Sequence, residues 1–367
     1  SSGPFSDELY GRACDYVVPL VDSIIPNQIP GGLEPSWFEL VTLFAFVTFR
    51  EAGIPWAVVE TGLGGRLDAT NVLTPRASVI TRIELEHTEY LGPTVECIAG
   101  EKAGIMKPGV GAFIAVQERS VREVFERKAR DIGARAFFME DFVERAEGVL
   151  ADGKLDVTLS FKRRGDQSGI PDFSRPLRAS LSLLNSVQAS NAALAAFTAK
   201  YLFPDISEGT IEKGLEAAWL PGRFEVVSWD PLIVLDGAHT VESISRTLDT
   251  FKEASRGGAS YLVFGCAADK NVDEIAALLA PSFERIWITK PGDKKTSDLD
   301  RETSAFARAL SSVEARKIDS SPDYGASIGN AMDAALKDGR SLLITGSFYL
   351  VAEAKAILSA RRAQAGN

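Results

Sequence analysis

The chain has 367 residues, enough for two domains each with its own core, and its 45% hydrophobic and 25% charged residues are ordinary globular usage. A formal net charge of −10 argues against nucleic acid as a partner, so an anionic substrate must be met by local cations or metal rather than by the overall field. No apolar run approaches the roughly 20 residues of a membrane helix, no charged stretch followed by an apolar core opens the chain as a secretory leader would, and Cys14, Cys97 and Cys266 lack the spacing of a disulfide framework or zinc site, so a soluble, cytoplasmic protein is expected.

In chain order, Ser6 caps a predicted helix that stops by Ile25, before Pro26. Residues 31–35 read as a loop, and 37–52 (WFELVTLFAFVTFREA) as a buried helix feeding the next element. The run 56–60 is apolar, β-branched and closed by Glu60 and then Gly-Leu-Gly-Gly, the pattern of a fully buried strand opening into a tight loop. Glu60 then stands at a strand's carboxyl end, where open α/β sheets bind ligands. A second predicted strand, 77–83, delivers Glu86 and His87 to the same edge if the two strands are parallel neighbours, and carboxylate plus imidazole is a donor pair that can share a metal. Lys102 follows on a predicted helix whose apolar side is Ile98, Ala99, Ala103 and Ile105.

Taken singly, each of these residues has an ordinary explanation: Glu60 as a cap neighbour or ion-pair partner, His87 as a satisfied polar group, Lys102 as a solvated helix charge. Three glycines within four positions, Gly62, Gly64 and Gly65, weigh against that, because they cost backbone entropy unless the chain needs positive φ or close approach.

Further on, 112–116 reads as a strand, 120–132 as a helix and 135–139 as a strand. Segments 154–161 and 176–183 alternate like half-exposed antiparallel strands around a loop at 163–173. Residues 188–201 form an Ala-rich helix, and 220–225 a turn taken as the domain hinge. Short strands at 232–236, 261–265, 285–289, 315–319 and 342–345 then alternate with helical segments, which implies a mostly parallel sheet with right-handed crossovers. Asp236 and His239 end the first of these strands, repeating the placement expected of His87.

These motifs carry a close resemblance. Residues 60–71 (E-x-GLGGRLDATN), 80–92 (IT-x-I, then Glu86-His87, then LG) and 101–109 (EKAGI-x-K-x-G) resemble the core of the folylpolyglutamate synthase/dihydrofolate synthase family of Mur-type ligases. The Gln188 to Ala192 element, LPGRFEVV, LDGAH, FG followed by Asp269-Lys270, and TGSFYLV extend the resemblance over essentially the whole chain. Departures are Glu86 for the family's aspartate, Asn185 and Val187 for its Gly-x-His, and Thr240-Val241 for its Asn-Pro.

The resemblance implies an α/β fold with a Mur-ligase-like central ATPase domain over 1–222, a parallel sheet with flanking helices and a small antiparallel section. A Rossmann-like C-terminal ligase domain would follow over 223–367, with the active site in the cleft between domains. It implies ATP-dependent addition of L-glutamate to a folate or dihydropteroate carboxylate through an acyl phosphate, by a monomer. The residues carried over are Glu60 and His87 as Mg2+ ligands and as catalytic groups with Lys102, the lysine that the family carbamylates. Asn191, Arg223, Asp236 and His239 match positions around ATP, and Ser347 a substrate position.

Family members also carry a phosphate loop ending in Gly-Lys-Ser or Gly-Lys-Thr. The nearest match here, 148–155 (GVLADGKL), lacks that last residue, and its Asp152-Gly153 reads as a hairpin turn. Two explanations stay open: a chain without its first part, or a non-catalytic nucleotide- or folate-binding paralogue that has lost the loop. A muramyl-peptide ligase fits the motifs less literally.

Overall fold

The structure is a computed structural model that describes residues 5–25, 32–163, 169, 172–310 and 317–365. The chain divides into two compact units, Ser1–Met139 and Glu140–Asn367. The expected division at 222/223 lies within the second.

In the first unit, α1 (Asp7–Asp22) is capped by Ser6, whose side chain accepts from the Leu9 amide, and α2 (Trp37–Glu51) begins in a capping box between Ser36 and Glu39. The two helices share a small core of Ala13, Val17 and Val47. The parallel sheet has the order β1-β2-β3, from β1 (Ala77–Ile80), β2 (Gly111–Ile114) and β3 (Arg135–Phe138). Between β1 and β2 lie α3 (Thr88–Leu91) and α4 (Val95–Lys102), and α5 (Arg119–Ile132) links β2 to β3. Ile98, Ala99 and Ala103 are buried with Ile80, Ile114 and Phe125, so the apolar side expected of the Lys102 helix is its core face.

Two expectations fail here. Residues 56–60 are not a buried strand: Trp56 is 48% and Val58 fully exposed, and among the described residues no ladder partner pairs with the run. A β-branched apolar run is only a candidate strand, because the hydrogen bonds that define one come from neighbours distant in sequence. Nor is α2 a buried helix, since Trp37 is 80% exposed and only Thr42, Val47 and Thr48 are buried along it.

The second unit follows the short helix α6 (Met139–Phe142). Its antiparallel sheet, β4 (Val143–Ala151), β5 (Lys154–Phe161) and β6 (Leu177–Leu181), turns at Asp152-Gly153, where both φ values are positive, 47° and 75°. The near match to a phosphate loop is therefore a β-hairpin, as its Asp-Gly implied. Most of the loop expected at 163–173 lies outside the described residues. The helices α7 (Val187–Leu202) and α8 (Glu208–Glu216) come next.

The remaining chain builds a six-stranded sheet ordered β11-β10-β9-β12-β8-β7. Its strands are β7 (Glu225–Trp229), β8 (Leu232–Asp236), β9 (Ser260–Phe264), β10 (Arg285–Ile288), β11 (Ile318–Ser320) and β12 (Ser341–Thr345). Only β7, not anticipated from its sequence, runs antiparallel. The linking helices are α9 (Val241–Ala254), α10 (Val272–Leu279), α11 (Leu299–Arg308) and α12 (Tyr324–Asp338), and α13 (Phe348–Ala365) closes the chain. Central positions such as Val234, Leu262, Ile288 and Leu343 are fully buried, each contributing about 1.5–3 kcal/mol through burial. The expected strand at 315–319 begins at Ile318, residues 315 and 316 being outside the described set.

Candidate functional site

Two groups of the expected site residues stand out, one in each unit. In the first unit, the glycine-rich loop after Glu60 is organised by Asp68. Its carboxylate accepts from the amides of Gly62, Leu63 and Thr70, each at 2.9 Å, and from the Thr70 hydroxyl at 2.5 Å. Partial burial works to raise the Asp68 pKa, but the Thr70 hydroxyl and these amides outweigh it and hold the carboxyl below its ordinary range. Asp68 thus caps a 3-10 turn, Ala69–Val72, and ties down the loop.

Glu60 lies just before this loop in an exposed, non-strand segment. His87 is also exposed. It is not at the end of β1, which stops at Ile80; the chain continues with the Gln117 side chain bridging the Ile83 amide and Thr81 carbonyl at 3.0 and 2.9 Å, and His87 precedes α3 in a left-handed conformation, φ 51°. Neither side chain makes a hydrogen bond or ion pair among the described residues, and none joins the two. Lys102 ends α4 with its Nζ 4.0 Å from Glu86 Oε1, so the residue that departs from the family's aspartate is the one that reaches the lysine.

Among the described residues no group of three His, Cys, Asp or Glu side chains is placed to hold a metal ion. What the first unit offers Mg2+ is one carboxylate, Glu60, and one imidazole, His87, both uncommitted. The carboxylate suits an ion that usually takes one or two protein carboxylates and completes its shell with water and substrate phosphates, whereas the imidazole is a softer donor than that ion prefers.

The second group is tighter. Asp236 ends β8 at 4% exposure, and its two oxygens splint two turns together. One accepts from the Phe224 amide at 2.6 Å, the other from the Ala238 amide at 2.7 Å and the Thr247 hydroxyl at 3.2 Å. Burial pushes its pKa up, opposed by these donors and by Arg223. Arg223, on the first turn, lies over the Phe348 ring at 4.5 Å. His239, on the second, meets the same ring edge-on at 6.3 Å and holds its Nδ1 2.8 Å from the Gly237 carbonyl. A carbonyl only accepts, so the Nδ1 facing it carries a proton. Gly237 lets the phenyl approach: a Cβ there would sit 2.4 Å from Phe348. Ser347, 7% exposed, precedes Phe348 and accepts from the Tyr349 amide at 3.1 Å.

Arg223, Asp236, His239 and Ser347 are therefore gathered around Phe348 at the carboxyl ends of β8 and β12. Asn191 is elsewhere, on α7, its amide 3.3 Å from Gln188 Oε1. Sequence reasoning gave no role to Phe348, although an aromatic just after a Gly-Ser strand end was the available signal. It also missed Glu302, 2% exposed on α11, whose Oε2 accepts from the Cys266 amide at 3.4 Å while Oε1 is unsatisfied. Arg223 further borders a cavity of about 230 Å³ shared with Lys154, Trp219, Glu225 and Trp229.

Comparison with known proteins agrees with this picture. A family model described as Mur ligase, glutamate ligase domain matches residues 222–348. A dihydrofolate synthase/folylpolyglutamate synthase of Escherichia coli is 30% identical over 337 residues, covering 90% of this chain and 72% of the relative. A probable bifunctional folylpolyglutamate synthase/dihydropteroate synthase of Halobacterium salinarum is 31% identical over 91% of this chain, which spans only 39% of that relative's length. The crystal structure of Mycobacterium tuberculosis folylpolyglutamate synthase complexed with ADP and AMPPCP superposes with a TM-score of 0.81 at 28% identity, over 96% of this chain and 79% of that one. Together with the strand-end site, these likenesses establish that the chain belongs to the folylpolyglutamate synthase/dihydrofolate synthase family of the Mur ligase superfamily.

Proposed function

We propose that the chain serves an ATP-dependent ligase that joins L-glutamate to the carboxylate of a folate or dihydropteroate through an acyl phosphate. The observation that carries this reading is the gathering of Arg223, Asp236, His239 and Ser347 around Phe348, inside the region that matches a glutamate ligase domain. The names of the relatives add folate, and the ADP and AMPPCP bound by the Mycobacterium tuberculosis enzyme add the adenine nucleotide. The division into a nucleotide-handling part, 1–222, and a ligase part, 223–367, belongs to the same reading.

The chemistry must bring a carboxylate to a triphosphate, and both are anions. Arg223 supplies a fixed cation, and its stacking on Phe348 limits the reorganisation needed when charge develops nearby. Asp236 does not touch phosphate in this account; it positions, because one carboxyl group sets both the Arg223-Phe224 turn and the Gly237-His239 turn. His239 is oriented by the Gly237 carbonyl, and Asn191 contacts the base. Glu60 and His87 would hold Mg2+, which when bound would supply charge neutralisation to the anionic reactants. Lys102 is the group we assign to carbamylation, which turns a cation into an anionic group that orients metal or amine.

In a protein carrying this chain together with a phosphate loop, Lys102→Ala abolishes transfer of radiolabelled glutamate to the folate acceptor and leaves ATP binding nearly intact, with no rescue by excess bicarbonate. Normal turnover of that variant would remove Lys102 from the machinery. The 367-residue chain assayed by itself is expected to be a poor ligase, since it shows no Gly-Lys-Ser or Gly-Lys-Thr loop whose amides would cradle the β- and γ-phosphates. Full-rate transfer would contradict that.

A further inference from the structure

The loop after Glu60 and the helix carrying Lys102 are locked to each other by side chains and backbone together. Arg66 grips Glu101 with Nε 3.2 Å from both carboxylate oxygens and Nη2 3.0 Å from Oε1. Beneath this fork the Arg66 amide donates to the Glu101 carbonyl at 2.8 Å. The backbones come this close because both sides dispense with a Cβ: one on Gly65 would stand 2.8 Å from the Glu101 oxygen, and one on Gly104 would stand 2.4 Å from Arg66 Cα. Asn71 closes the seam, its amide donating to the carbonyls of Arg66 at 3.0 Å and Gly104 at 3.1 Å.

The ion pair lies at the surface, with side-chain exposures of 55% for Arg66 and 26% for Glu101. An exposed pair of this kind is worth about 0–1 kcal/mol to folding. A bidentate fork does, however, fix distance and angle, which an isolated charge contact does not. The residue after Glu101 is Lys102, whose amine stands 4.0 Å from Glu86.

We propose that Arg66 and Glu101 are a positioning pair: they set the register of α4 against the Glu60 loop and so hold the Lys102 amine beside Glu86, where the ligation reaction requires it. This rests on the role proposed above for Lys102. Neither Arg66 nor Glu101 touches the reacting atoms. They act through the backbone they join, as the side chains that support a catalytic group commonly do.

The test reads Lys102 itself, on the chain as it stands and without turnover. The rate at which Lys102 is acetylated by a water-soluble acetyl ester is followed by peptide mass spectrometry in wild type, Arg66→Ala, Arg66→Lys and Glu101→Gln, beside the thermal midpoint of each. Arg66→Ala and Glu101→Gln should free the amine and raise its rate about threefold or more, with the midpoint moving by no more than about 2 °C. Arg66→Lys, which keeps the charge and loses the fork, should fall between them and wild type. Arg119→Ala, which removes an exposed i, i+4 pair with Glu123 in the same unit, should leave the rate unchanged. An unchanged Lys102 rate in Arg66→Ala overturns the proposal. So does a rate that rises only together with a fall in midpoint of many degrees, which would make the pair structural. If the Arg66 series behaves as expected but Lys102→Ala keeps normal glutamate transfer, the clamp is real and its purpose is not ligation, so failure of the inference and failure of the functional reading are told apart.

Discussion

Residues 56–60 and β8 are written in the same grammar. Trp-Ala-Val-Val-Glu leads to a glycine loop, and Leu-Ile-Val-Leu-Asp leads to Gly-Ala-His. Yet β8 is buried at all five positions, flanked by β12 and β7, while the first run is largely exposed and has no ladder partner among the described residues. A central strand is a property of its neighbours, and the carboxylate at its end inherits the consequences. Asp236 is desolvated and committed to three donors; Glu60 is exposed and committed to none. One is a splint and the other a candidate ligand, although their sequence contexts match.

The largest effects expected from this contrast fall on the buried carboxyls of the second unit. Glu302 is pushed up to about 8, first by burial and further by Asp298, against relief from the Cys266 amide and Arg301. Its folded pKa lies above its unfolded value, so the folded state binds the extra proton between about pH 4.5 and 8, and stability falls as pH rises through that window. Glu302→Gln removes the loss, making the variant more stable than wild type above pH 8 by up to about 5 kcal/mol and no more stable near pH 4. Urea unfolding across that range checks it; parallel pH profiles would show that the carboxyl is not held protonated.

Next in size is Asp236→Ala, which orphans the Phe224 and Ala238 amides and the Thr247 hydroxyl and should cost about 3–5 kcal/mol by the same measurement. Glu60→Ala should change stability by less than about 0.5 kcal/mol, and a larger cost would mean that this carboxylate has a structural commitment. The sharpest form of the comparison is a matched pair: Val234→Ala, in a fully buried strand, should cost about 2 kcal/mol or more, and Val58→Ala close to nothing. Equal costs would break the distinction between the two runs.

Much of this was legible in the sequence. The C-terminal βαβ series, the hairpin at Asp152-Gly153, the apolar face of α4 and the order of the ligase motifs are local patterns, and local patterns survive folding. The pairing state of 56–60, the exposure of α2 and the antiparallel β7 were not legible, because each depends on which distant segment lies alongside. The site divides in the same way. Asp236 and His239 could be placed from a strand end, but their convergence with Arg223 on Phe348 needed the register of β8 against β12, which brings Asp236 beside Thr345. Glu302 gave no signal at all, since a glutamate on an amphipathic helix is ordinarily solvated and only packing shows that it is not.

The account stands most directly on whether the Phe348 cluster binds adenine nucleotide. Calorimetric titration of the chain with AMPPCP, wild type beside Arg223→Ala, measures it. The account predicts saturable binding by wild type, weakened about tenfold, or roughly 1.4 kcal/mol, by the substitution. Equal affinity in the two proteins, or no binding by wild type, would contradict it.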